Sequence, residues 1–347
     1  MIFEWHQPVW DSLLGRLEHL PHALLLAGAA GGGKSELARS LAQRLLCETA
    51  SGNAPACGEC DGCRWFLAGN HPDFRYVGPG SDEIEAEPGD SASEEAEPGK
   101  RSAQIVIEQI RALAGFVTVG AVRQGVRVVV IDPAEAMNHH TANALLKLLE
   151  EPPAKTHLVL VSDAPRRLLP TILSRCRLIR LPRPDGAQAA NWLAGQGIET
   201  PDDLLALCGG MPVAAAQLAS GIGAAARGRF VRDMLSLERA DPVALAGAWE
   251  TWLKNKESLA AGFGVPQLVG WLQRWVADLV LAALAGQVRF FPDQQAALQA
   301  QANKLPLAAL LTCYNELIRL RRVAAHPLNL RLVLDDMLLR YARLVAR

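Results

Sequence analysis

The sequence predicts an α/β domain built around a phosphate-binding loop, followed by two all-helical units, and three observations predict it. An apolar run, His22 to Ala27, ends in glycines and leads into a helical pattern over Ser35 to Leu46. Two further apolar runs, Val126 to Ile131 and Leu158 to Val161, are interleaved with helical periodicity at Ile107 to Gly115 and Thr141 to Glu150. After Pro182 the strand signals stop and helix follows helix.

Each element has a physical reason. Runs that stay apolar residue after residue suit parallel strands covered on both faces. Strands alternating with helices make an open α/β sheet, here over residues 1–182. Residues 183–226 read as a small helical unit, with Gly209, Gly210 and Pro212 between helices. Residues 227–347 read as a second helical domain. Its Trp249, Trp252, Trp271 and Trp275 recur at helical spacing, which predicts core positions rather than a surface on which bases stack. Between the first strand–helix pair and the second, Gly78 to Lys100 is rich in Gly, Pro, Ser and acids and has almost nothing to bury, so a disordered insertion is expected.

Composition narrows the function. Half of the 347 residues are apolar and a fifth are charged, enough for several cores. The net charge of −1 argues against a free-standing nucleic-acid binder. Asp82 to Glu97 carries eight acids and no base, so the rest of the chain sums to +7, compatible with DNA nearby. The first ten residues lack a basic stretch followed by an apolar one, and the apolar stretch Trp271 to Leu284 is short and broken by Arg274 and Asp278. A soluble, cytoplasmic chain with no membrane partner is the expectation.

Gly28-Ala-Ala-Gly31-Gly32-Gly33-Lys34-Ser35 fits GxxxxGK[ST], and it sits after a strand and at the start of a helix. Glycines there let backbone N–H groups turn inward around phosphate oxygens, and the helix N-terminus adds a favourable dipole. Lys34 would reach the β- and γ-phosphates of ATP or ADP, and Ser35 would hold Mg²⁺. Val128 to Ile131 then ends in Asp132, placed to support the Mg²⁺. An acid that polarises the attacking water usually follows; here Pro133 follows, and Glu135, further on, is expected to point elsewhere. The site reads as able to bind a nucleotide and poorly equipped to hydrolyse it.

Cys47, Cys57, Cys60 and Cys63 follow the spacing C-x9-C-x2-C-x2-C, flanked by Gly58 and Gly62. Two overlapping CxxC turns let thiolates converge on one ion, and four thiolates close a tetrahedral site, so a structural zinc is expected over 47–63. His71 lies nearby and is not needed as a ligand. Cys176, Cys208 and Cys313 are scattered and read as small hydrophobes.

A resemblance emerges from the stretch beginning Thr141-ANALLKLLEEPP, continued by HLVLVSDAPRRLLPTILSRC to Cys176. It resembles the clamp-loader branch of the AAA+ ATPases, with Ser174-Arg175-Cys176 as the most specific mark and the cysteine cluster as a second. The likeness is close over most of residues 1–180 and weaker through to Asn329-LRLVLDDMLL-Arg340, which is similar to the collar end of such subunits. The resemblance implies an AAA+ domain, a helical lid and a C-terminal collar used for oligomerisation. It implies that Arg175 is an arginine finger reaching into a neighbour's ATP site. Ser162 falls at the polar sensor position after the third strand, where an ordinary strand-end serine reads the same way. Implied partners are other clamp-loader subunits of gamma/tau and delta type, the sliding clamp, and primed DNA through the complex.

Motor subunits of that branch carry a sensor arginine in a motif like G-[ST]-x-R-[DE]-A. Here the stretch is Gly209-Gly-Met-Pro212-Val-Ala, with Pro212 where the arginine would be. Losing both that arginine and the water-polarising acid fits a rigid subunit that lends its finger to a motor. An ATP-hydrolysing motor of the same complex is the alternative, and a zinc-stabilised DNA-binding module is a second. No set of metal-binding carboxylates for nucleotidyl transfer is visible, so polymerase chemistry would belong to the complex.

Overall fold

The computed structural model describes residues 2–81, 104–118, 125–198, 201–323 and 329–345. The insertion expected over 78–100 lies outside these from residue 82 onward. The chain divides into two compact units, Met1–Arg183 and Pro184–Arg347.

The first unit is a five-stranded sheet of β1 (Ala23–Ala27), β2 (Phe74–Val77), β3 (Arg127–Ile131), β4 (Thr156–Ser162) and β5 (Arg177–Arg180). The strand order is β2-β3-β4-β1-β5 and every pairing is parallel. The three central strands are those read from the sequence, and the two edge strands are additions. The pleat sends alternate residues of each apolar run to opposite faces. Leu25, Val129, Ile131, Leu158 and Leu160 pack with α4 (Ile107–Thr118), α5 (His139–Glu150) and α6 (Pro170–Arg175). Leu24, Leu26, Val128, Val130, Val159 and Val161 pack with α1 (Gln7–Leu14) and α2 (Lys34–Leu46). Burial on both faces is why these strands show no polar alternation.

A short helix, α3 (Asp61–Leu67), packs against the end of α2. Register aligns the carboxyl ends of the central strands: Ala27 is opposite Ser162, and Ile131 is opposite Leu160. In open parallel sheets ligands bind at that edge.

The second unit is helical. Its smaller core joins α7 (Gly186–Gly195), α8 (Pro201–Leu207) and α9 (Pro212–Ala219) through Ala189, Leu193, Leu204, Leu205 and Ala215. The larger core draws on α10 (Gly223–Ser236), α11 (Pro242–Leu253), α13 (Val265–Ala285), α14 (Gln295–Ala302), α15 (Leu307–Val323) and α16 (Leu330–Val345), with the short α12 (Lys256–Ala260) between α11 and α13. Trp249, Trp271 and Trp275 are buried in it and Trp252 is half-buried against it. Two polar groups inside it are satisfied, as a low-dielectric interior favours. The Trp275 indole donates to the Tyr341 hydroxyl at 2.8 Å, and Tyr341 donates to Gln301 at 3.2 Å. The Asp278 carboxylate accepts the backbone N–H groups of Arg289, Phe290 and Phe291, each at 2.8 Å.

α13 is longer than the apolar stretch read from the sequence. Its 21 residues are long and apolar enough, by length and composition alone, to cross a membrane, but over half of that span is packed inside the helical core.

Candidate nucleotide and metal sites

The phosphate loop runs from the end of β1 to the first turn of α2. Gly31 (φ 74°) and Gly33 (φ 92°) both have left-handed backbone, and Gly33 is the N-cap of α2. A side chain at Gly33 would also collide with Phe3, whose ring carbons lie 2.4 and 2.6 Å from the place a Cβ would take. Phe3 stacks on Trp5 with centroids 4.7 Å apart, and the Trp5 indole donates to the Gly32 carbonyl at 2.9 Å. His6 meets both rings edge-on. An aromatic cluster from the start of the chain thus braces the loop from outside. Sequence reasoning missed it because three aromatics within four residues carry no periodicity.

The Lys34 side chain is buried, donates to the Ala29 carbonyl at 2.7 Å, and makes a close ion pair with Asp163. Burial, then the charge of Lys34, lower His6 to about 4, with the Gly32 backbone partly opposing them. Gly28 closes the loop's base by donating its N–H to the Ser162 carbonyl at 3.3 Å. Ser35 hydrogen-bonds the side chain of Asp132 at the end of β3. Burial raises the Asp132 carboxyl above its ordinary value, against the hydrogen bonds from Ser35 and Tyr76. Tyr76 reaches Asp132 at 3.4 Å, with the Arg39 guanidinium 5.2 Å from its ring centre. The sheet therefore brings Gly28, Gly31, Gly32, Gly33, Lys34, Ser35, Asp132 and Ser162 to one edge.

Glu135 is engaged at the turn after β4. Its Oε1 accepts the backbone N–H groups of Asp163 at 2.8 Å and Ala164 at 3.1 Å, so it pins the turn after β4. The Ser162 hydroxyl is fully buried and accepts the Ala164 N–H at 3.2 Å. Asp163, which the sequence reading did not single out, is the acid nearest Lys34. Its signal was available: it follows directly on the strand that pairs with β1. In the second unit, α9 opens on Pro212 and carries no basic residue over Pro212–Ala219.

The four cysteines converge. Their sulfurs all lie within 4.8 Å of one another, with Cys47–Cys60 and Cys57–Cys63 each at 3.9 Å. A tetrahedral ion with metal–sulfur bonds of about 2.3 Å holds its sulfurs about 3.8 Å apart, so the set fits a zinc ion. Backbone N–H groups point at the sulfurs: Cys60 and Glu59 at Cys57, Cys57 at Cys47, Cys63 and Glu48 at Cys60, all between 3.3 and 3.5 Å. Donors of that kind favour thiolates. The Thr49 hydroxyl together with the Cys60 and Glu59 amides lowers Cys57 to about 6, whereas burial pushes Cys63 up to about 12. Gly62 lets α3 sit on the end of α2, because a Cβ there would lie 2.5 Å from the Leu46 carbonyl oxygen.

His71 is buried with Nδ1 accepting the Asp73 N–H at 3.1 Å, and it is not one of the converging ligands. Cys176 and Cys313 are buried and Cys208 is half-buried; burial raises these thiols to about 11, 12 and 11 respectively. Arg175 ends α6 with its side chain about one-third exposed, paired to Glu150 at 2.6 Å.

A family described as DNA polymerase III, delta subunit, matches residues 12–185, and one described as DNA polymerase III, delta subunit, C terminal, matches 226–343. DNA polymerase III subunit delta' of Pseudomonas aeruginosa is 35% identical over 99% of this chain and 98% of its own length. The protein of that name in Escherichia coli K12 is 30% identical over 97% of this chain and 94% of its own length. DNA polymerase III subunit tau of Salmonella typhimurium is 35% identical over 52% of this chain and 24% of its own length.

Proposed function

This chain belongs to the family of DNA polymerase III delta-prime subunits, and from that premise we propose that it is a nucleotide-holding, non-hydrolysing subunit that lends Arg175 to a neighbour's ATP site. The complex it serves uses ATP to open the sliding clamp and place it on primed DNA. Its partners are the other subunits of that complex, of gamma/tau and delta type; clamp and DNA are met through the assembly.

The observation that carries this reading is Pro133 after Asp132, with Glu135 engaged by the backbone. Hydrolysis needs a carboxylate beside the Mg²⁺-supporting acid to orient water. After Asp132 comes Pro133, and Oε1 of the next acid, Glu135, already accepts two backbone amides in the turn after β4. Nucleotide binding keeps its parts: the left-handed glycines, Lys34, Ser35 and Asp132. A nucleotide entering the loop takes Lys34 from Asp163, replacing one anion with another. Mg²⁺, when bound with the nucleotide, neutralises phosphate charge, and Ser35 and Asp132 are the residues that would hold it.

Zinc at Cys47, Cys57, Cys60 and Cys63 is structural in this account, because four thiolates leave no open position for a substrate. Residues 183–226 serve as the lid and 227–347 as the collar through which the subunit assembles.

The test is Arg175→Ala in the reassembled complex. An arginine finger is worth about 10³-fold or more at its site. Loss of turnover at the neighbouring site, with assembly intact, is expected. Unchanged ATPase in a fully assembled complex would remove the finger from the account.

A further inference from the structure

Arg175 is engaged within its own subunit. Its Nη1 donates to the Thr171 carbonyl at 3.0 Å and reaches the Ser174 hydroxyl at 3.4 Å, and its Nη2 pairs with Glu150 Oε1 at 2.6 Å. Both terminal nitrogens, the ones a phosphate would meet, are therefore occupied.

The two partners are placed with opposite logic. Arg175 is the last residue of α6, where a cation answers the negative end of the helix dipole. Glu150 is the last residue of α5, with Glu151 at its C-cap and Pro152 ending the helix. An acid at a helix C-terminus is electrostatically disfavoured. What Glu150 gains there is the guanidinium of Arg175.

We propose that Glu150 is a catch for Arg175: it holds the guanidinium on its own subunit, and the neighbour's γ-phosphate must displace it before the finger acts. The inference rests on the reading of Arg175 as a finger acting in trans. The exchange is ionic, one carboxylate contact given up for a phosphate contact, with no bond made or broken. Side chains one-third and one-half exposed are screened by solvent, so the catch holds weakly. Its release should raise the active fraction of fingers by at most about fivefold.

The experiment compares steady-state ATP turnover by the reassembled complex, with clamp and primed DNA, for wild type, Glu150→Gln, Arg175→Ala and the double variant. Glu150→Gln keeps the side-chain size and relieves the helix end, so folding is not threatened. The expected result is kcat raised about two- to fivefold by Glu150→Gln, with KM for ATP unchanged and no effect in the Arg175→Ala background. Glu150→Ala should act in the same direction, and high salt should narrow the difference. A fall or no change in kcat with Glu150→Gln overturns the catch, as does an equal rise in the absence of Arg175. If Arg175→Ala alone leaves turnover untouched, it is the finger reading that has failed.

Discussion

Replacing Gly33 by alanine tests how the phosphate loop is built. Two costs add at this position. Its φ of 92° is left-handed, which costs a residue with a Cβ about 1 to 2 kcal/mol. The new methyl would also lie 2.4 Å from the Phe3 ring, inside a stacked cluster tied to Gly32, and overpacking of that kind costs about 1 to 3 kcal/mol. The sum is about 2 to 5 kcal/mol.

Gly69 is the control, because it has φ 79° and nothing within 4 Å of its Cβ position, so Gly69→Ala should show only the backbone part. Denaturant unfolding of the α/β unit, followed by far-UV circular dichroism, measures both variants. In a Phe3→Ala background the penalty of Gly33→Ala should shrink to that of Gly69→Ala, since the ring it strikes is gone. Nucleotide affinity should fall at least about tenfold with Gly33→Ala, because the inward-facing amides lose their geometry. Equal penalties for Gly33→Ala and Gly69→Ala would refute the claim that the N-terminal aromatics brace the loop.

Two further perturbations probe other parts of the account. Cys60→Ser should lower bound zinc, measured by elemental analysis, and the melting temperature together; full zinc retention in the variant would defeat the four-thiolate assignment. His6 should make the protein acid-labile. Its value falls from 6.5 unfolded to about 4 folded, so its contribution is complete above pH 6.5 and is lost as pH drops toward 4. At its largest that is about 3 kcal/mol, and His6→Phe should flatten the acid limb of stability against pH; an unchanged limb would mean that His6 does not titrate in this window.

Much of this was legible in the sequence, and the failures have reasons. The three central strands announced themselves because both sheet faces are buried, which leaves unbroken apolar runs such as Val128 to Ile131. The edge strands did not. Phe74–Val77 and Arg177–Arg180 are four residues each, partly exposed and charged, and they resemble loop. The phosphate loop and cysteine cluster were readable because their chemistry is written in local spacing. The partners of Lys34 and Arg175 were not, since Asp163 and Glu150 reach them only across the fold. The two amides that hold Glu135 come from the turn after another strand, which no local spacing announces.

On the proposed reading, this subunit holds a nucleotide without consuming it. The most direct measurement sets an equilibrium ATP titration of the purified full chain beside its ATP turnover with primed DNA present. Saturable binding that disappears with Lys34→Ala, and no turnover above background, is the predicted result. Turnover that Lys34→Ala abolishes would contradict the account and make this chain a motor.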